Sequence, residues 1–170
     1  LSFDAATGIF SGTPGNDDVG AASVTVIATD QSGAAAQQTF TITVENVNDP
    51  AAISGVSTGA VTEDDAQTQV TGDLDVTDPD TGEAVFAAPE MSALEGIYGD
   101  FTFDAGTGNW TYTLDNADPD TNALAAGEQV TETLEVTSLD GTATQTITVT
   151  VTGANDAPST SDVFIGEIAE

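Results

Sequence analysis

Apolar residues alternate with threonine in several separate stretches of this chain. A period of two fits a pleated strand with one buried face and does not fit an amphipathic helix. From Thr39 to Val44, Phe40, Ile42 and Val44 point one way and Thr39, Thr41 and Thr43 the other. Val24, Val26 and Ala28 repeat the pattern, as do Trp110, Tyr112 and Leu114 around Thr111 and Thr113, and Ile147, Val149 and Val151 close the set. Threonine suits the outer face of such strands. Helical periodicity is scarce, and only Thr121 to Ala126 is expected to form a short helical turn. Short strands separated by Gly, Pro, Asn and Asp clusters predict an all-β sandwich.

The charge pattern sets the second constraint. The chain has 29 Asp and Glu residues and no Lys, Arg or His, a formal charge of -29. With 39% apolar residues in strict alternation, the acidity does not imply disorder. No carboxylate can find a cationic side chain within the chain, and acids drawn together raise each other's pKa and resist ionising. A dissolved divalent metal relieves that repulsion. Calcium suits it best, taking six to eight oxygen ligands in flexible geometry from Asp, Glu, Asn and backbone carbonyls.

The same composition narrows the chemistry. His, Lys and Cys, the usual general bases and nucleophiles, are missing. Carboxylate-pair chemistry of the glycosidase type survives, but a sandwich of this length offers no evident cleft, so the chain is read as a non-enzyme. Nucleic acid and anionic membranes are poor partners without Lys or Arg. No segment is apolar enough for membrane insertion, and none reads as a signal peptide. The absence of cysteine fits a cytosolic or a secreted protein; abundant acid without base favours calcium-rich extracellular space.

An internal repeat organises the chain. Asn48-Asp49-Pro50 through Glu63 lines up without gaps on Asn155-Asp156-Ala157-Pro158 through Glu170, 107 residues on. In the same register Gln38 to Val44 matches Gln145 to Val151. Phe3-Asp4-Ala5-Ala6-Thr7-Gly8 also matches Phe103-Asp104-Ala105-Gly106-Thr107-Gly108, here 100 residues on. Residues 50–156 are read as one complete domain, 1–49 as the C-terminal part of a preceding domain, and 157–170 as the first strand of the next. The whole is a piece of a tandem array.

Candidate ligands cluster in the turns. Asp78-Pro79-Asp80-Thr81-Gly82-Glu83 places Asp78 and Asp80 at alternate positions, with Pro79 stiffening the spacing and Gly82 free to take a positive φ. Both carboxylates are expected to aim at one metal. Asn48-Asp49 and Asn155-Asp156 sit at the hand-over between domains, where a ligand would stiffen a hinge. Asp118-Pro119-Asp120-Thr121-Asn122 opens like an EF-hand loop, but Ala123 stands where that loop needs Gly and Gln129 where it needs an acid, so a loop or helix cap is expected. The two Phe-Asp-Ala-X-Thr-Gly stretches read as hairpin turns in which Asp caps the backbone and Gly turns left-handed. Trp110 reads as core.

Several of these motifs also resemble known families. Val61-Thr62-Glu63-Asp64, Val76 to Gly82, Phe103 to Gly108 and the Asn-Asp-Ala-Pro boundary, in that order, resemble a cadherin-type repeat. Tyr112-Thr113-Leu114-Asp115-Asn116, Leu124 to Glu128 and Gly153 to Pro158 resemble the bacterial VCBS repeat. Residues 1–50, with Leu1-Ser2-Phe3-Asp4, Gly12-Thr13-Pro14 and Ala28-Thr29-Asp30, resemble the end of a dystroglycan-type Ig-like cadherin module. The resemblance implies tandem Ig-like or cadherin-like sandwiches with calcium-bridged linkers. Carried over by position, the first junction would use Asn48, Asp49, Asp78, Asp80 and Asp140, and the second Asn155, Asp156, Glu63 and Asp115. The family's acidic position two before the linker Asn is Asn46 or Gly153 here, so one or two ions per junction are expected. The resemblance further implies an extender of a large secreted bacterial adhesin of the RTX type, acting in cell adhesion or biofilm formation beside neighbouring repeats. The alternative is a carbohydrate-binding sandwich module.

Overall fold

The computed structural model describes residues 1–157. The expected strand beyond them, which falls on 158–170, lies outside the described residues. The fold is all-β. Strands β1 (Ser2–Asp4) and β2 (Ile9–Ser11) form one antiparallel hairpin, and β3 (Gly20–Thr29) and β4 (Ala35–Val44) a second. After the Asn48-Asp49 linker come β5 (Ala52–Gly55), β6 (Thr58–Thr62), β7 (Gln69–Thr77), a single helical turn α1 (Met91–Leu94), β8 (Gly99–Phe103), β9 (Asn109–Leu114), β10 (Gln129–Thr137) and β11 (Thr144–Thr152).

These later strands form two layers: a three-stranded sheet in the order β10-β11-β6 and a four-stranded sheet in the order β5-β7-β9-β8. All pairs are antiparallel except β11 with β6, which run parallel. The alternation places Ile147, Val149, Val151, Leu134, Val136 and Val61 on the inner face of one layer. Leu74, Phe101, Trp110, Tyr112 and Leu114 face them from the other, all buried. Threonines of β10 and β11 take the outer face, as the pleat requires.

Both Phe-Asp-Ala-X-Thr-Gly stretches are hairpin turns. Asp4 Oδ1 accepts the Ala6 and Thr7 N–H groups at 2.9 and 3.3 Å, and Asp104 Oδ1 those of Gly106 and Thr107 at 2.9 and 3.1 Å. Trp110 is core, with its indole N–H donating to the Val56 carbonyl at 2.7 Å, which leaves no platform for a sugar. The helical turn expected at Thr121 to Ala126 is a series of turns instead. Asn122 Nδ2 donates to the Asn116 and Asp118 carbonyls at 2.9 and 2.8 Å, and such local bonds compete with helix. The Asp118 loop is an Asx-type turn, with Asp118 Oδ1 accepting the Asp120 N–H at 2.7 Å.

The Tyr112 hydroxyl is fully buried and has no protein partner. Burial, with the carboxylates of Glu132 and Asp100 nearby, pushes the phenol well above its ordinary pKa. Removing an unsatisfied buried polar group is neutral or stabilising. Tyr112→Phe is therefore expected to leave the thermal midpoint unchanged or raise it by a few degrees. A fall equivalent to more than about 1 kcal/mol in calorimetry would show that the hydroxyl holds an ordered water.

Candidate metal centre at the linker

A buried carboxylate in a chain without cations can be satisfied by N–H donors or by a metal. Glu132, Asp80 and Glu63 are the buried acids among the described residues, 8%, 3% and 2% exposed. Glu132 takes the first route: its Oε1 accepts the Ile97 and Tyr98 N–H groups at 2.7 and 2.9 Å. Asp80 does so only in part. Its Oδ2 accepts the Asp49 N–H at 2.7 Å, while Oδ1 is buried without a hydrogen-bond partner.

The loop after β7 explains the arrangement. Pro79 fixes the chain between the two aspartates, Asp78 Oδ1 accepts the Asp80 N–H at 2.7 Å, and Gly82 at φ 90° turns the chain back. The turn brings in Glu83, so that one carboxylate oxygen each from Asp78, Asp80 and Glu83 lie within 4.8 Å of one another. Oxygens sharing one calcium at 2.3–2.6 Å are separated by at most about 5 Å. Asp78 Oδ2 is a second buried oxygen with no partner. Desolvation first, then Asp80, Asp78 and Asp140, push the Glu83 carboxyl above its ordinary pKa. That is the cost of gathering acids without a counter-ion.

The linker is tied into the same cluster. Asn48 Nδ2 donates to Asp140 Oδ2 at 3.0 Å, and Asp140 Oδ1 accepts the Ser138 hydroxyl at 2.6 Å and the Thr142 N–H at 3.1 Å. Hydrogen bonds from Ser138, Thr142 and Asn48 hold the Asp140 carboxyl well below the usual carboxylate range. The Ala51 N–H donates to Thr142 Oγ1 at 2.8 Å. From the other side, Asn16 Nδ2 donates to Asp49 Oδ2 at 2.9 Å. Asn48, Asp49, Asp78, Asp80 and Asp140 are thus all brought together. Asn16 and Glu83 join them without having been singled out from sequence. The signal for Glu83 was present, three positions after Asp80 across a turn glycine; Asn16 sits in a short 3-10 turn that offers no such signal.

All these donors are hard oxygens, and two of them are buried without a proton to accept. That combination fits a calcium ion, which Asp78, Asp80 and Glu83 would hold with Asp49 and Asp140 adjacent.

Residues 48–153 match the family of bacterial cadherin-like domains, well over half of the chain. The chain belongs to that family. Residues 1–45 match a second family, described as Putative Ig domain. No curated protein matches the chain. Cadherin-like and Ig domains are typically extracellular structural modules, and cadherin-like domains generally bind calcium and neighbouring repeats. No helix among the described residues is long and apolar enough to cross a membrane.

At its other end the cadherin-like domain is less complete. Glu63 Oε2 accepts the Ala154 N–H at 2.8 Å, and Oε1 is buried without a partner. Asn155 Nδ2 donates to the Asp156 carbonyl at 3.2 Å, the same local bond that Asn48 makes to Asp49 at 3.2 Å. Asp115 is exposed and caps its own turn through Ala117 N–H at 2.8 Å. Asp64, at φ 58°, donates its N–H to Asn116 Oδ1 at 3.4 Å and links the two loops. Among the described residues, Glu63, Asp115 and Asp156 are not gathered into a three-carboxylate cluster as Asp78, Asp80 and Glu83 are.

Proposed function

We propose that the chain is a structural extender segment of a secreted bacterial surface adhesin of the RTX type, built from VCBS and cadherin-like repeats and stiffened by calcium at its junctions. Residues 50–156 form the complete repeat, 1–49 the C-terminal part of an Ig-type domain, and 157–170 the first strand of the next. The distal part of such a rod would carry the contact to surfaces or to other cells, including in biofilms.

One observation carries this reading: Asp80, buried and holding the linker N–H of Asp49 with one oxygen, keeps its other oxygen unpartnered beside Asp78 and Glu83. An ion there would pull the loop and the linker onto one point, and Asp49 passes the restraint on to Asn16 of the preceding unit. Calcium is the ion the ligands favour; extracellular modules of this kind bind it at about 10⁻⁴–10⁻³ M. The rod would therefore stiffen outside the cell and stay loose within it. Asn155, Asp156, Glu63 and Asp115 would form the equivalent site at the second junction, completed by acids of the next repeat.

The test is hydrodynamic. In excess chelator the chain is expected to become more flexible, with a broader distance distribution in small-angle scattering, and millimolar calcium should restore the stiffer form. Asp78→Ala with Asp80→Ala should abolish both the change and the calorimetric binding signal. Identical scattering curves with and without calcium would remove the basis for the proposal.

A further inference from the structure

The chain enters the complete repeat through β5 and β6 and leaves it through β11. β6 and β11 lie side by side and point the same way, with Thr58 to Thr62 matched to Thr148 to Thr152 at five positions in register. Among the described residues every other strand pair is antiparallel. Both ends of the parallel pair are pinned. The Thr148 N–H donates to the Ser57 carbonyl at 2.9 Å where β6 begins, and the Glu63 N–H donates to the Thr152 carbonyl at 2.9 Å where β11 ends. Glu63 Oε2 then accepts the Ala154 N–H at 2.8 Å, so the departing chain stays tied to β6 beyond the last matched position. Val61, Glu63, Val149 and Val151 are buried along the inner face, where water has poor access and hydrogen bonds are stronger than in bulk solvent.

The direction of a load decides how such a pair fails. Tension along the chain draws β6 back past Thr58 and β11 onward past Thr152, in opposite senses along parallel axes. The bonds of a parallel pair are evenly spaced. None can open unless the strands slide, so all the matched positions carry the load together. In an antiparallel pair the same two chain ends would leave from one end, and the bonds would open singly. We propose that β6 and β11 form a shear clamp, which makes the repeat resist stretching along its own chain direction far more than pulling at neighbouring strand ends. β5 offers no way round the clamp, since a load that detaches Ala52 to Gly55 from β7 falls next on β6. Glu63 holds the exit of the clamp through both its N–H and its carboxylate. The proposal rests on the extender reading only for the source of the tension. The resistance itself needs no ion, so a failed clamp and a failed calcium site are separate results.

The absence of native cysteine allows handles to be placed in the intact chain for single-molecule force spectroscopy, with excess chelator present throughout. Asn46→Cys with Ala157→Cys loads the repeat along its chain direction. Val56→Cys with Ala157→Cys leaves β5 out of the load and enters directly at β6; Val56 is exposed. Asp65→Cys with Ala157→Cys pulls on the adjacent ends of β6 and β11, so that the pair peels from Glu63 onward; Asp65 and Ala157 are exposed too. Forced unfolding is governed by the unfolding rate. Each rate is therefore referred to the same variant's unloaded unfolding rate, so that a handle which weakens the fold does not mimic the effect. The first two geometries are expected to unfold at equal rates under one fixed force. The third should unfold about tenfold faster or more, a barrier difference of about 1.4 kcal/mol. Equal rates in the first and third geometries would overturn the proposal. So would a second geometry as fast as the third, which would place the resistance between β5 and β7.

Discussion

Millimolar calcium is expected to raise the thermal midpoint of the cadherin-like domain by about ten degrees, and Asp80→Asn is expected to erase the rise. Millimolar calcium is about ten times the dissociation constant of a site at 10⁻⁴ M, and binding the folded form alone then adds about 1.4 kcal/mol. In a domain of this size each kcal/mol moves the midpoint by roughly 4–8 °C. Asparagine keeps a carbonyl oxygen to accept the Asp49 N–H, so the loop-to-linker bond survives while the charge is lost. In chelator the variant should be at least as stable as the parent, because it removes a buried charge lying beside Asp78 and Glu83. Calorimetry of both proteins with and without calcium decides the matter. A parent-like response from Asp80→Asn would show that the ion, if bound, is held elsewhere.

Gly108→Ala is expected to cost about 3 kcal/mol or more, while Gly8→Ala, in the same motif, should leave the cadherin-like domain's melt almost untouched. Both glycines are left-handed, φ 75° and 72°, a conformation that costs an L-residue about 1–2 kcal/mol. Around Gly8 there is open space. At Gly108 a Cβ would run into the Leu74 carbonyl, because the two chains are drawn together by the Leu74 N–H donating to the Gly108 carbonyl at 3.0 Å. Phe86 closes the same space. Overpacking against fixed backbone adds about 1–3 kcal/mol to the conformational cost. Denaturant unfolding followed by the single tryptophan, Trp110, reads the cadherin-like domain specifically. Equal shifts for the two variants would contradict the packing argument.

Without a cationic side chain, this chain has two ways to keep an acid inside: N–H donors, as at Glu132, or an ion, as the Asp80 geometry favours. Replacing Glu132 is therefore expected to leave the Ile97 and Tyr98 N–H groups without their acceptor, whereas replacing Asp80 changes how the linker is held. The difference lies in which groups the turns present, since both residues are single acids bordered by strands or turns.

Much of this was legible in the residues themselves. Period-two alternation with threonine outside pointed to strands around Val24, Phe40, Trp110 and Ile147, because a pleated chain can bury one face only if every second residue is apolar. The Asp-X-X-Thr-Gly turns, the core tryptophan, and the Asp78 and Asp80 pairing follow from equally local rules, since each depends on residues within one turn of each other. The helix expected at Thr121 failed because Asn122 found backbone carbonyls within its own loop, a local competition that hydrophobic period does not register.

What the residues themselves could not supply are several relations between distant segments. That β6 runs parallel to β11, that Asn16 reaches Asp49, and that a Cβ at Gly108 would meet Leu74 while one at Gly8 would meet open space are all consequences of how the segments pack. Alternation says which face of a strand is buried and is silent on its neighbour, because any edge with the right pleat can pair with any other. The choice among edges is made by side-chain volume in the finished core, and that volume exists only once the sheets have met.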